Sequence, residues 1–255
     1  MKIYICTLLI CLSFCFTNSL LAVEILTAEA DSYIVSNSSV QDSNYGTTNI
    51  MRIKNAASDT TDPVGGSWSR KAYVRFQLGL SENQDITDAS FILTVARYGT
   101  LSGTQTFNVF GVKDGVTGEN TWVETGITWN NAPGNDTGSR SDASGDALLL
   151  GTFNLTGTGT LGQAVNFSNN NLTEFLNKDT NNMVTLIITR DTYDSNYSGW
   201  VHEFASKENT SYNAPTLQFD TELVQTTAIP EPNSLLLLAL TLSVIMLIYK
   251  QNFTA

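Results

Sequence analysis

One ten-residue stretch, Ser69 to Leu78 (SRKAYVRFQL), alternates between apolar and polar positions from Lys71 onward. Because successive side chains of a β-strand point to opposite faces, this alternation predicts a half-buried antiparallel strand. The inner face is predicted to carry the apolar set, Ala72, Val74, Phe76 and Leu78. The outer face is predicted to carry the polar set, Lys71, Tyr73, Arg75 and Gln77. Such a strand requires a second layer to cover its apolar face.

Most of the chain repeats this pattern in short segments separated by Gly, Asn and Asp turns. Further strands are predicted over residues 24–27, 31–36, 49–55, 88–97, 105–113, 127–129, 147–155, 160–167, 183–190, 199–206 and 216–221. Helical spacing of apolar residues occurs in Asn169 to Asn177, with Ser168 as the predicted N-cap. Many short strands divided by turn residues predict an all-β fold, a jelly-roll type β-sandwich with one short helix.

The first 22 residues differ from this pattern. Lys2 supplies a positive start, an apolar core follows, and Ala22 is a small residue suited to cleavage. These features predict a secretory signal peptide over residues 1–22. All three cysteines of the chain lie in it. The predicted mature sandwich, residues 23–221, therefore has no disulfide and depends on a buried core.

The C-terminal segment is predicted to contain a linker, residues 222–234, and an apolar helix, residues 235–250. Pro-Glu-Pro occupies 230–232, and the apolar run ends at Lys250. This order resembles the PEP-CTERM sorting signal, which implies export, retention by the tail and cleavage by an exosortase-type enzyme. That family usually ends in several arginines, whereas Lys250 is the basic residue here. An ordinary C-terminal membrane anchor is the alternative. Either interpretation places the protein at the cell envelope or outside the cell.

The charge of the chain bears on its partners. With 13 Lys and Arg against 24 Asp and Glu, the net charge is −11, which argues against nucleic-acid binding. Cations nevertheless cluster on predicted outer strand faces, with Arg97 as a further neighbour. Arg binds carboxylates through a planar fork, Lys adds charge and an aromatic ring can contact a sugar face. The predicted ligand-binding residues are Arg52, Lys54, Lys71, Tyr73, Arg75, Gln77 and Trp68. A solvated strand face with locally paired cations is the alternative.

Several motifs occur in a consistent order along the chain. They are ADSYI at 30–34, NYG at 44–46, RIK at 52–54, the strand at 70–78, Trp122 with ITWNNAP at 127–133, EFASKE at 203–208 and PTL at 215–217. This series resembles the DNRLRE domain, the group that includes carbohydrate-binding module family 96. The resemblance implies a jelly-roll module that binds acidic polysaccharide such as alginate. Lys207 stands where the family commonly has Arg, and the exchange loses a bidentate donor.

The aromatic residues and the single histidine suggest structural roles for the most part. His202 is predicted to lie on the same strand face as its apolar neighbours, and the chain has no G-x-S-x-G motif. We therefore expect its ring to be packed rather than catalytic. Trp122 and Trp129 flank an Asn- and Pro-rich turn and are predicted to be buried under a loop. Trp68 is the better candidate for exposure, and the sequence leaves Trp200 open.

Oxygen-bearing side chains allow one metal hypothesis. Asp31, Asn44 and Glu208 are calcium candidates, because carboxylate and amide oxygens are the ligands that Ca²⁺ prefers. Turn capping explains the same residues without a metal, and we predict no cofactor requirement.

Three functions stay open from the sequence. The favoured hypothesis is a non-catalytic module that binds an acidic polysaccharide. The second is a structural component of the envelope or extracellular matrix that binds no sugar. The third is a polysaccharide lyase or hydrolase, which needs positioned acid and base groups that no motif marks here.

Overall fold

The computed structural model describes residues 22–81, 83–97, 101–196, 200–223, 238–246 and 249. The chain divides into two compact units, residues 1–222 and residues 223–255. The strands are β1 (Ala22–Thr27), β2 (Ala30–Val35), β3 (Ile50–Ile53), β4 (Arg70–Gln77), β5 (Gln84–Thr94), β6 (Thr104–Val112), β7 (Ala147–Thr156), β8 (Ala164–Phe167), β9 (Met183–Arg190), β10 (His202–Ala205) and β11 (Thr216–Leu223). The helix α1 spans Asn170–Asn177.

Two antiparallel sheets and a two-stranded ribbon build the first unit. The strand orders are β1-β11-β5-β8 and β2-β4-β9-β6-β7 in the sheets and β10-β3 in the ribbon. All pairings between these strands are antiparallel. The predicted all-β sandwich with a short helix is thus confirmed. The predicted strand at residues 127–129 is wrong, because these residues belong to a segment without strand pairing.

The main hydrophobic cluster lies between the two sheets. Strand β4 contributes its predicted inner face, Ala72, Val74, Phe76 and Leu78, which confirms the parity derived from the sequence. Phe76 meets Phe91 of β5 edge to face, with ring centroids 6.0 Å apart. Each such buried large apolar side chain stabilises the fold by about 1.5–3 kcal/mol.

The opposite face of the five-stranded sheet is buried as well. A second hydrophobic cluster forms there between the sheet and the long segment 113–146 that joins β6 to β7. The sheet contributes Tyr73 and Ile187, and the segment contributes Trp122, Ile127 and Trp129. Alternation in β4 therefore defines two faces correctly, but both of them are covered.

Helix α1 packs where its apolar spacing predicts, with Leu172, Phe175 and Leu176 buried. Its N-cap is Asn169, whose Oδ1 accepts a hydrogen bond from the Leu172 amide at 2.8 Å. The predicted cap, Ser168, is wrong, since its hydroxyl instead donates to a carbonyl of β5 at 2.7 Å. Gly111 of β6 leaves room for this helix, because a Cβ there would overlap the Phe175 ring.

Most of the predicted targeting segments lie outside the described residues. Of the predicted signal peptide, residues 1–22, the structure describes Ala22, which begins β1. Of the predicted linker, 222–234, it describes 222 and 223; of the predicted C-terminal helix, 235–250, it describes 238–246 and 249, which are helical. Within the described ranges, no helix is long and apolar enough to span a membrane.

Candidate functional site

Lys71, predicted to bind ligand on the outer face of β4, is completely buried. Its Nζ donates hydrogen bonds to Asn135 Oδ1 at 2.7 Å, Asp136 O at 2.8 Å and Asp142 O at 2.7 Å. The ammonium also lies 4.5 Å from the centroid of the Trp129 ring. Burial lowers the pKa of Lys71 to about 7. All three donors are therefore used to hold residues 135–142 against the sheet.

Tyr73 is buried beside it. Its ring meets Trp122 edge to face at 6.4 Å, and its hydroxyl has no hydrogen-bond partner among the described residues. The predicted exposure of Lys71 and Tyr73 is thus wrong. The physical reason is that Trp122 and Trp129, correctly predicted to be buried, pack on this very face of the sheet.

Farther along β4, the polar side chains lie far from the start of the strand, and Arg75 is bonded to other residues of the protein. Arg75 Nη1 donates to Trp122 O at 2.6 Å, and its Nε pairs with Glu29 at 3.2 Å. Gln77 is exposed at the strand end. A strand rises about 3.3 Å per residue, so Arg75 and Gln77 lie roughly 16 and 23 Å along β4 from Arg70. The structure therefore separates them from the cations at the start of the strand.

Those cations and their aromatic neighbours form what we term the basic–aromatic patch. Its members are partly or fully exposed: Tyr45, Arg52, Trp68, Arg70 and Arg97. Arg52 and Arg97 pair with a single carboxylate, that of Glu203 in β10, at 3.0 and 3.1 Å. The predicted proximity of Arg97 to Arg52 is confirmed through this shared partner.

Aromatic rings lie beside the guanidinium groups of the patch. Arg70 Cζ is 5.9 Å from the Trp68 ring centroid, and Arg70 Nη1 donates to Trp68 O at 3.1 Å. Arg52 Nη1 donates to the Tyr33 hydroxyl at 3.3 Å. The Tyr33 ring stacks on Tyr45 with centroids 4.4 Å apart. Planar apolar surface and planar donors thus occur side by side.

Arg70 is the least satisfied cation of the patch. Its Nε is buried and has no hydrogen-bond partner among the described residues. Burial lowers the pKa of Arg70, which means that its charge is poorly solvated. Because the described ion pairs of the patch involve one carboxylate for three guanidinium groups, its local charge is positive on a chain of net charge −11. Such a surface attracts anions.

Lys54 lies beneath this patch rather than on it. The side chain was predicted to point outward from β3, but the residue is 3% exposed, and burial lowers its pKa to about 8. A single bridge joins Lys54 to Arg70, whereas β3 pairs with β10, and β4 with β2 and β9. The predicted outward position of Lys54 is therefore wrong.

Of the three calcium candidates, Asp31 and Glu208 lie close together. Carboxylate oxygens of Asp31, Glu124 and Glu208 lie within 4.8 Å of one another. Lys207 occupies the same cluster: its Nζ pairs with Glu124 at 3.0 Å and Glu208 at 3.1 Å, and its amide donates to Asp31 Oδ2 at 2.7 Å. Burial raises the pKa of Asp31 to about 7. A lysine ammonium thus compensates part of this acidic charge.

Asn44 caps a turn rather than facing that cluster with a free amide. Its Nδ2 donates to Glu124 O at 2.7 Å and to Ile127 O at 2.8 Å, while its Oδ1 accepts from the Gly46 amide at 3.0 Å. Calcium binding by Asp31, Asn44 and Glu208 stays a prediction.

His202 is packed as predicted. Its ring is buried, Nε2 lies 2.9 Å from Gly157 O, and Nδ1 lies 3.3 Å from Arg190 Nη1. Burial lowers the pKa of His202 to about 4, so the ring is neutral at pH 7. Since guanidinium can only donate, Nδ1 accepts and Nε2–H donates to Gly157. Both ring nitrogens are thus engaged structurally.

Sequence reasoning missed two central members of the patch. Arg70 shares the inward parity of Ala72, but it is the first residue of β4 and therefore emerges at the rim of the core. A polar residue at the end of a row of inward-facing apolar residues indicates a side chain at the edge of the core. Tyr45 was noted within the NYG motif but not as a binding residue, and its stacking on Tyr33 is a tertiary contact that no local pattern contains.

Part of the chain is similar to a known family. Residues 22–147 match the model of carbohydrate-binding module family 96. The match supports the carbohydrate-binding module family suggested by the motif series, and its range includes all five members of the basic–aromatic patch. The chain matches no curated protein.

Proposed function

We propose that this protein is a non-catalytic, jelly-roll module that binds an acidic polysaccharide on the basic–aromatic patch. The observation that carries the proposal is Arg70: it is partly exposed, none of the ion pairs between described residues involves it, and its guanidinium lies against the partly exposed Trp68 ring. The similarity of residues 22–147 to carbohydrate-binding module family 96 supports the same class of ligand.

Uronate chemistry fits this surface. A carboxylate accepts two parallel hydrogen bonds from a guanidinium fork, and the partly exposed Arg70 has no carboxylate partner among the described residues. The rings of Trp68 and Tyr45 offer flat apolar surface to a sugar ring. Because the patch is exposed, its attraction for a polyanion weakens as salt shortens the Debye length to about 8 Å at 0.15 M.

The proposal assigns no catalytic group and requires no cofactor. His202, the residue a nucleophilic triad would require, is neutral and bonded through both nitrogens. In the carboxylate cluster, Lys207 pairs with Glu124 and Glu208, and the proposal gives these residues a structural role.

The proposed location is the cell envelope or the extracellular space. The support is the sequence alone: residues 1–22 have the character of a signal peptide, and Pro-Glu-Pro at 230–232 precedes the apolar run 235–250. In this proposal the tail holds the exported protein at the membrane until an exosortase-type enzyme removes it.

Affinity electrophoresis tests the proposed ligand class. Full-length protein is run through gels containing alginate, pectin or a neutral glucan. We expect retardation in the two acidic gels, loss of that retardation at about 1 M salt, and no effect of the neutral glucan.

Paired variants locate the contact. Arg52→Gln combined with Arg70→Gln should abolish the retardation, while Lys178→Gln, which removes an exposed cation at the C-cap of α1, should leave it unchanged. Folding of each variant is checked by its melting temperature. Equal retardation of wild type and the double variant would exclude the patch, and wild-type protein that migrates freely in both acidic gels would exclude the proposed function.

A further inference from the structure

A second exposed aromatic surface occurs in the segment between β9 and β10. Among the described residues of the first unit, the aromatic side chains that are largely exposed are Tyr193, at 52%, and Trp200, at 47%. Aromatic rings in a soluble sandwich are mostly buried, as Trp122 and Trp129 are in this protein. Tyr193 and Trp200 are therefore unusual among the described aromatic residues of the first unit.

Tyr193 is paired with a cation. Arg140 Cζ lies 4.9 Å from the centroid of the Tyr193 ring, so the guanidinium and the ring are close enough for a cation–π contact. One donor of Arg140, Nη1, is used by Ala56 O at 3.0 Å. None of the ion pairs between described residues involves Arg140. The combination of a ring and a guanidinium that has no ion pair among the described residues repeats that of Trp68 and Arg70.

A short stretch of chain links this pair to the basic–aromatic patch. Lys54 is bridged to Arg70, and two residues later Ala56 is bridged to Asp194, the neighbour of Tyr193. The Asp194 amide donates to Asn55 O at 3.0 Å, which fixes the connection between β9 and β10 against this stretch. At about 3.3 Å per residue, Lys54 and Ala56 are roughly 7 Å apart along the chain.

We propose that Tyr193 and Arg140 form a second subsite for the same acidic polysaccharide, so that the protein binds several consecutive uronate residues rather than one. The inference rests on the proposed function of the patch. Arg140 supplies donors for a carboxylate, and the exposed face of Tyr193 supplies contact area for a sugar ring. The chain between Lys54 and Ala56 sets the spacing of the two subsites.

Oligomer length tests this inference. Full-length protein is titrated calorimetrically with alginate oligomers of increasing length, from the disaccharide to the octasaccharide. Wild-type affinity should rise with length until both subsites are spanned. Tyr193→Ala should weaken binding of the octasaccharide about five- to tenfold and leave that of the disaccharide unchanged, because short oligomers occupy the patch containing Arg70.

Matched variants separate the ring from general surface effects. Tyr193→Phe keeps the ring and should bind like the wild type, and Leu149→Ala, an exposed apolar residue on the edge strand β7, should do the same. Arg140→Gln should reproduce the loss seen with Tyr193→Ala.

Different results would exclude the second subsite and the proposed function. If Tyr193→Ala changes neither oligomer, or weakens both equally, the second subsite is excluded while the patch stands. If the wild type binds no oligomer at all, the proposed function itself fails.

Discussion

The outer face of β4 and the basic–aromatic patch contain the same kinds of residue in different environments. Lys71 lies over the Trp129 ring, and Arg70, the preceding residue, lies over the Trp68 ring. Lys71 is buried, and its Nζ donates three hydrogen bonds to oxygens of the loop. Arg70 is partly exposed and has no carboxylate partner among the described residues. Two adjacent cations on one strand therefore have opposite roles, one structural and one suited to a ligand.

The difference follows from what covers each end of the strand. The segment 113–146 brings two tryptophans and several carbonyl groups over the middle of the five-stranded sheet, and those carbonyls take the donors of Lys71 and Arg75. It does not cover Arg70, whose guanidinium donates to Trp68 O. Exposure, rather than the presence of a cation, thus distinguishes the candidate binding surface from a buried anchor.

Replacing Lys71 should have the largest effect on stability. Lys71→Met leaves three oxygen acceptors unpaired, so the free energy of unfolding should fall by about 1–3 kcal/mol for each acceptor that stays buried. Urea unfolding measures the change. The control, Lys178→Met, removes a cation whose side chain is 76% exposed and should have almost no effect. Lost polysaccharide binding with unchanged stability would instead place Lys71 in the ligand site.

A smaller effect is expected from pH, through the buried carboxyl of Asp31. Its pKa is about 7 in the folded state and near 3.8 in the unfolded state, so the folded protein binds the extra proton between these values. The free energy of unfolding should therefore fall as pH rises from 4 to 7, by a few kcal/mol.

Asp31→Asn isolates that contribution. His202 acts in the opposite direction, because its pKa is about 4 when folded and 6.5 when unfolded, so the difference between wild type and variant is the quantity to compare. Urea unfolding at several pH values should show a smaller decline in the variant. Parallel curves for the two proteins would contradict the assignment of the raised pKa to Asp31.

The smallest effect is expected for Tyr73→Phe. The hydroxyl of Tyr73 is buried without a hydrogen-bond partner among the described residues, so its removal should change the free energy of unfolding by less than about 1 kcal/mol or stabilise the fold. Tyr33→Phe is the matched control, because the Tyr33 hydroxyl accepts a bond from Arg52. Comparable losses for both variants would show that Tyr73 has an unrecognised partner.

The sequence predicts the fold better than the site, for a physical reason. Parity in β4 places Val74 and Phe76 in the core, because a strand fixes which side chains share a face. The alternation of side chains along a strand does not show whether another segment covers the opposite face of the sheet. The coverage of Tyr73 depends on where residues 113–146 pack, which is a tertiary contact at long sequence separation.

The predicted exposure was accordingly right for Arg52 and Trp68 and wrong for Lys54 and Lys71. Arg52 and Trp68 lie in the patch, whereas Lys54 and Lys71 are buried. Two of the predictions could have been combined: tryptophans expected under a loop need an apolar surface to pack on. The outer face of β4, with Tyr73 at its centre, is such a surface.

One calorimetric titration tests most directly whether ligand binds the uncovered end of β4. Arg70→Gln and Arg75→Gln each remove one guanidinium from the same strand, and both are titrated with an alginate oligomer beside the wild type. Arg70→Gln should weaken binding by about tenfold or more. Arg75→Gln, whose arginine donates to Trp122 O, should lower the melting temperature and leave affinity within about twofold. Full affinity in Arg70→Gln together with lost affinity in a folded Arg75→Gln protein would contradict this assignment of the site.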